Sequence, residues 1–554
     1  MNRRLRSLAP YSFVGSWIAL VACGGATPPN RASAPSLVPQ PDVASARGVP
    51  DAAAPVNDEA ARHKLFAELV ALVRRYHVFS PQTEKNLGRR WDDELPALEA
   101  DFARAADRPA LTLALVRFGN SLHNPHCGFD PPVDAQIVVV DAKADVEWTD
   151  GKPVFYVAEP PKGSTLVAGD VFEEIGGVPA SELLVREMYR SNSNNWFGIA
   201  RAVARGITRR ATLAAKLGSH VIWRVRPRDG GAAKTVDLTW HAAGSSSEEG
   251  SDYAIDYTRA SCSGLPAVGY GAYALASEGP NFCLYTSNDA RYRAYPIVRY
   301  FSFAYFRGNE DSYEPGFHRA RADHDALLAQ LSALTGARGV LLDLRDNGGG
   351  SNPNWAMDWF APAPYTDHYV FTRLDDDLRD PGFRRDANME DPSESRAFLA
   401  QLDARAPGQE FAKRPFFCRP DTCDWDNRYT PSHRVTKLPL ALLVGPGCVS
   451  SCDAFTQQFS EWGFGPLIGE PTAAGHTTRR LTRDVMYQGE RLGTLILAFS
   501  YEVSGKSGER VEGVPIHLTD RLDHTFANRA RYDALLVEHA IAALPKTPAA
   551  HAKP

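Results

Sequence analysis

Apolar positions at the start of the chain recur at helical spacing. Leu65, Leu69, Leu72 and Tyr76 fall at i, i+4, i+7 and i+11, the stripe of an amphipathic helix. A second helical stretch is predicted over 108–122, and the two form a helical unit over 57–133. From 134 to 242 the pattern changes to strands and turns with one helical piece: VFYVAEP, VIWRVRP and TVDLTW are the clearest strands. After Tyr295 continuous apolar runs alternate with helical ones. YPIVRYFSFAYF reads as a strand, 317–336 as a helix, RGVLLDLRD and LPLALLVG as buried strands, 452–462 as a helix and GTLILAFSYEV as a strand. This alternation predicts an α/β core over 296–545. Two polar segments interrupt the pattern. Residues 243–295, rich in Ser, Gly and Tyr, read as an insertion. Residues 364–435 read as a second, irregular insertion carrying Asp375, Asp376 and Asp377, a solvated loop because adjacent like charges repel.

Composition narrows the class. A chain of 554 residues is long for one core, so two or three globular units are expected. Its 61 basic and 66 acidic residues nearly cancel, to −5, which leaves no basic surplus for nucleic acid. The first 23 residues differ in kind. MNRRLR is a basic lead, Tyr11 to Ala22 an apolar stretch, and Leu20-Val21-Ala22-Cys23 reads as a lipobox, so that Cys23 becomes the lipidated mature N-terminus. The blander alternative is a secretory signal with an incidental cysteine. Residues 24–56, rich in Pro, Ala and Ser, read as a tether. No later apolar run is long enough to span a bilayer, so membrane attachment is expected through the lipid alone. Gly24, in place of an aspartate, favours the outer membrane or periplasmic side of a bacterial envelope. Export permits disulfides. Spacing suggests the pairs 262/283, 418/423 and 448/452 with Cys127 left over, although spacing does not fix connectivity.

The chemistry concentrates in four stretches. GPGCVSSCDAF, 445–455, follows an apolar strand and opens a helix, a geometry that exposes a hydroxyl to backbone N–H groups fixed before charge develops. Helix capping by the serines is the commoner use of such residues. LLDLRDNGGGS, 341–351, ends a buried strand in glycines, which let backbone amides approach a ligand closely. SLHNPHCGF, 121–129, closes the helical unit with histidines, and SGERVEGVPIHLTD, 507–520, offers Glu512. His123, His126 and Cys127 could instead ligate a metal, but no second cluster at ligand spacing accompanies them, so neither metal nor other cofactor is expected.

Together these motifs resemble peptidase family S41, the C-terminal-processing and tricorn-core peptidases. The resemblance covers most of 57–545 in order. It rests on the strand ending D-L-R-x-N-x-G-G at Asp343 to Gly350, the serine turn with an acidic residue three positions on, and Gly469-Glu470-Pro471-Thr472. It implies a helical lead-in, a PDZ-like β unit over 134–242 around the Gly169-Asp170 turn, and a ClpP/crotonase-like α/β core. Asp453, three positions after Ser450, selects Ser450 as nucleophile. Ser451 and Gly348 or Gly349 would supply the oxyanion donors. The lysine of one family branch is absent, because Gly475 and His476 stand there. The tricorn-like branch then assigns His126 as general base and Glu512 as the group orienting it, while Pro125 replaces that branch's helper serine. Lys506, close to the glutamate stretch, is a candidate surrogate base, with a hairpin charge as its ordinary reading. The implied activity is hydrolysis of peptide bonds in exported proteins or peptides. The competing reading is an inactive relative that binds a peptide or apolar ligand.

Overall fold

The computed structural model describes residues 58–131, 137–211, 219–242, 262–263, 265, 268–305, 314–350, 354–387, 389, 392–415, 426–476 and 479–545. The signal stretch with Cys23, the tether, and Cys418 and Cys423 lie outside the described residues.

The lead-in is helical, with more helices than the periodicity predicts. Glu59–Tyr76 starts where the Asp58 carboxylate accepts the Ala61 N–H at 2.9 Å, a side-chain cap for an otherwise orphaned donor. Its buried face carries Leu65, Leu69, Val73 and Tyr76, with Leu72 on the flank. Pro81–Leu87 and Trp91–Arg104 follow, then Arg108–Asn120. The two additional helices escape the pattern because one is short and the other holds Pro96, which has poor helix propensity.

The chain after Asn120 leaves the helices and joins the far end of the molecule. Strand Gly128–Asp130 pairs antiparallel with Glu490–Ala498, Phe129 opposite Leu495. One continuous apolar cluster therefore runs from Leu65 and Phe118 through Phe155 and Trp223 to Leu495 and Leu497. The middle unit is an antiparallel sheet of Lys143–Thr149, Lys152–Glu159, Val171–Ile175, His220–Arg226 and Lys234–Thr239. Two helices accompany it, Ala180–Arg186 and Trp196–Thr208, where the pattern predicted one.

The core is a seven-stranded sheet. Ile297–Tyr300, Val340–Asp343, Leu440–Val444, Leu467–Gly469 and Asp520–Arg521 run parallel in that order, and Phe282–Ser287 and Tyr273–Glu278 extend it antiparallel. Every residue of Val340–Asp343 and Leu440–Val444 is buried, which explains why they read as unbroken apolar runs: parallel strands are covered on both faces. Leu341, Ala441, Leu443 and Ile468 pack against helix Tyr532–Ala543. Leu342, Leu442 and Val444 face the opposite layer of Leu327, Phe360 and Phe455. The stretch expected as an insertion at 243–295 thus supplies the two antiparallel edge strands of the core sheet, and the disulfide Cys262–Cys283 ties Cys262 to strand Phe282–Ser287.

The 364–435 insertion corrects the expectation of an irregular, solvated loop. It forms strand Tyr369–Arg373 between Phe411–Pro415 and Ser500–Val503, with helices Pro381–Asp386 and Pro392–Asp403. Its acidic run is partnered: Arg75 reaches Asp375 at 2.8 Å and Asp377 at 3.1 Å, and the Tyr76 hydroxyl donates to Asp377. Both partners lie some 300 residues away, a distance over which sequence pattern carries no pairing signal.

Candidate active site

The carboxyl ends of Val340–Asp343 and Leu440–Val444 lie side by side, with Asp343 in register with Leu443, so their two turns form one edge, where open α/β sheets place ligands. Ser450 occupies the N-cap position of helix Ser451–Glu461 with φ 62° and ψ −120°, and its side chain makes no cap hydrogen bond. A positive φ in a residue with a Cβ is strained and marks functional turns. The capping explanation of this serine therefore fails: Ser450 Oγ lies 3.0 Å from His126 Nε2. The adjacent Ser451 Oγ instead donates to the Gly350 carbonyl at 3.1 Å, so only the first hydroxyl faces the imidazole.

The glycine turn packs directly onto the serine. Gly349 has φ +83°, and a Cβ there would stand 2.4 Å from the Val449 carbonyl oxygen and 2.9 Å from Ser450 Cβ. Its N–H donates to Asn347 Oδ1 at 2.9 Å, and Asn347 in turn donates to the Tyr300 carbonyl. Gly349 thus has its N–H engaged by Asn347 and, lacking a Cβ, lets the turn pack against Ser450. Ser451 N–H opens the helix, so it has no intrahelical acceptor. Disulfide Cys448–Cys452 closes the turn around Ser450, and Cys127 is buried and outside any described disulfide, as the spacing suggested.

His126 arrives from the helical unit. The Pro125 and Cys127 carbonyls accept from Asn192 Nδ2 at 3.2 and 2.6 Å, and the His126 N–H donates to Asn124 Oδ1 at 2.9 Å. The side chain is almost wholly buried. Burial, with a contribution from nearby Arg480, pushes its pKa down to about 3, because an apolar enclosure disfavours the imidazolium. The ring is therefore neutral. Nδ1 is buried and has no hydrogen-bond partner.

Glu512 is buried, and it is no hydrogen-bond partner of His126 Nδ1, which has none. Its carboxylate accepts the His476 N–H at 2.7 Å and Asn194 Nδ2 at 3.4 Å, and its carbonyl accepts the Ser80 hydroxyl. The loop that carries His476 is held from several sides. Ala474 and Gly475 N–H groups donate to the Asp453 carboxylate at 3.0 and 2.9 Å, and Asn194 Nδ2 donates to the Ala474 carbonyl. Burial raises Asp453 to about 7, against the pull of its donors. Asp453 thus positions a loop. Asn192 and Asn194 were missed by sequence reasoning; the run S-N-S-N-N at 191–195, largely buried, was the available signal, since amides are rarely buried unless bonded.

The remaining candidates fall away from the serine. Lys506 donates to the Glu461 carbonyl and lies 5.3 Å from the Trp462 ring centroid. His123 stacks on Tyr189, and Cys127 Sγ lies 3.9 Å from His77. Among the described residues His123, His126 and Cys127 form no ligand cluster.

Residues 298–513 match the model of peptidase family S41. Among solved structures, mature CPAF complexed with lactacystin is similar in fold, with a TM-score of 0.62 at 16% identity over 87% of this chain and 97% of that one. Mature CPAF gives 0.59 at 17% identity over 87% and 96%. No curated protein matches the chain.

Proposed function

We propose that this chain, whose residues 298–513 match peptidase family S41, is a serine peptidase with Ser450 as its nucleophile, His126 its general base and Glu512 the carboxylate that supports the base. The observation that carries this reading is the 3.0 Å approach of His126 Nε2 to Ser450 Oγ at a strained strand-to-helix turn. With its proton on Nδ1, the neutral imidazole accepts the Ser450 proton as Oγ attacks the scissile carbonyl. The N–H groups of Ser451 and Gly348 receive the oxyanion. The imidazolium then protonates the departing amine, and water, deprotonated by the same ring, releases the acyl group.

Burial sets the role of Glu512. An imidazole whose pKa is about 3 is a weak base, and each turnover must create a positive charge on it. The role proposed for the buried Glu512 carboxylate, fixed by the His476 N–H and Asn194, is to lower that cost through space, where low dielectric strengthens the attraction. Exported proteins or peptides are the proposed substrates, and Cys23 the proposed lipid anchor. The middle β unit, if it works as PDZ domains do, would take a chain terminus as an added strand. Peptide hydrolysis by the wild type and by Ser450→Ala, both checked for native circular dichroism, tests the reading. Equal rates would end it, and loss of labelling with radioactive palmitate in Cys23→Ser tests the anchor.

A further inference from the structure

Behind the imidazole a second group of buried side chains converges from three segments. His368 precedes strand Tyr369–Arg373, Glu502 lies on the paired strand Ser500–Val503, and His476 belongs to the loop that holds Glu512. His368 Nδ1 lies 3.2 Å from Glu502 Oε2, and His476 Nδ1 lies 3.9 Å from the same oxygen. One ligating atom from each of the three lies within 4.8 Å of the others. All three are buried.

Hydrogen bonding accounts for only part of this group, the contact between His368 Nδ1 and Glu502 Oε2. Both ring nitrogens of His476, and Nε2 of His368, are buried without a hydrogen-bond partner. Leaving a buried nitrogen unpartnered costs free energy, and the bare nitrogens of His476, with Nδ1 3.9 Å from the Glu502 oxygen that His368 Nδ1 also meets, point to a missing shared partner. An electron-poor partner fits, since deprotonated imidazole nitrogens and a carboxylate oxygen all offer lone pairs; without it His368 holds a proton, its pKa, against the lowering effect of burial, kept up at about 10 by the Glu461 and Glu502 carboxylates. A tetrahedral metal centre with bonds of about 2.1 Å spaces its ligands about 3.4 Å apart, between the two separations to Glu502. Two imidazoles with one carboxylate suit zinc and neighbouring first-row divalent ions.

We propose that His368, His476 and Glu502 form a binding site for one divalent transition-metal ion, zinc first. The surroundings are those of a metal site. His368 Nε2 looks toward Glu461 Oε2 at 3.9 Å, the outward carboxylate that commonly orients a ligating imidazole. The His368 carbonyl is held by Asn427 Nδ2 at 2.9 Å. Since the His476 N–H holds Glu512, an ion here would fix the loop that supports the active-site carboxylate. The three residues are far apart in sequence, which is why no ligand spacing revealed them.

The test uses the full chain, purified without a metal-affinity step and dialysed, with Zn2+ and Co2+ as probes. About one equivalent of zinc per chain is expected in the wild type, with Co2+ replacing it to give the visible absorption of a tetrahedral centre. His476→Ala and Glu502→Gln should each lose the equivalent, and chelation should lower the wild-type melting temperature until Zn2+ restores it. Failure of natively folded wild-type protein to bind either ion overturns the proposal. Retention of a full equivalent by His476→Ala overturns it as well.

Discussion

The two sides of the Ser450–His126 hydrogen bond are built differently. The serine side comes from two short stretches, 340–350 and 440–461, that meet because their strands are neighbours in one parallel sheet. Its polar groups are accounted for: Ser451 bonds Gly350, and Asn347 bonds Gly349 and Tyr300. The imidazole side is assembled from the helical unit, the middle β unit and two loops of the core, and it keeps unpartnered nitrogens at His126 and His476. The serine side is thus a rigid local device, set by turn geometry. The base side is a low-dielectric enclosure whose behaviour depends on charges placed around it.

Substitutions can separate the two. Ser450→Ala should have the largest effect, a fall of roughly a millionfold in kcat, with His126→Ala close behind; a peptide turnover assay reads both. Glu512→Gln keeps an acceptor for the His476 N–H but removes the charge. It should lower kcat by about 100- to 10,000-fold with the fold intact, and an unchanged kcat would make Glu512 a purely structural residue. Gly349→Ala attacks the serine side, because its new Cβ meets the Val449 carbonyl. A shift of the turn by about an ångström should cost around 100-fold in kcat, while the environment of His126 stays as it is.

Acid should expose the enclosure. His126 and His77 are both buried and pushed down to about 3 by burial, His77 with added repulsion from Arg373 and Arg510. The unfolded chain takes up protons on these groups near pH 6.5 and the folded chain does not, so unfolding gains protons as pH falls. Their stabilising contribution is complete above about pH 6.5 and is lost progressively toward pH 3, which melting temperatures across that range will show. In the same way kcat/KM should hold its plateau at pH 5.5, where an ordinary histidine would already be mostly protonated. The smallest effect is expected from replacing Cys448 and Cys452 with alanine. A loop so short gains only about 2 kcal/mol from closure, visible in denaturant midpoints with kcat little changed.

This contrast also explains what the sequence made legible. The strands around 340 and 440 and the serine helix were readable because each depends on neighbours in sequence, and buried parallel strands announce themselves as apolar runs. Ser450, His126 and Glu512 were singled out through resemblance to a family. What their side chains touch was not legible, because Asn192, Asn194 and His476 reach them across hundreds of residues. The insertion at 364–435 was misread for the same reason: strand Tyr369–Arg373 exists by pairing with Ser500–Val503, and Asp375 by meeting Arg75.

The account turns on one hydroxyl being activated by one imidazole. Labelling the folded chain with a fluorophosphonate and locating the adduct by mass spectrometry tests this most directly. The adduct should sit on Ser450, persist in Ser451→Ala and disappear in His126→Ala. An adduct on Ser451, or undiminished labelling of Ser450 without His126, would contradict it.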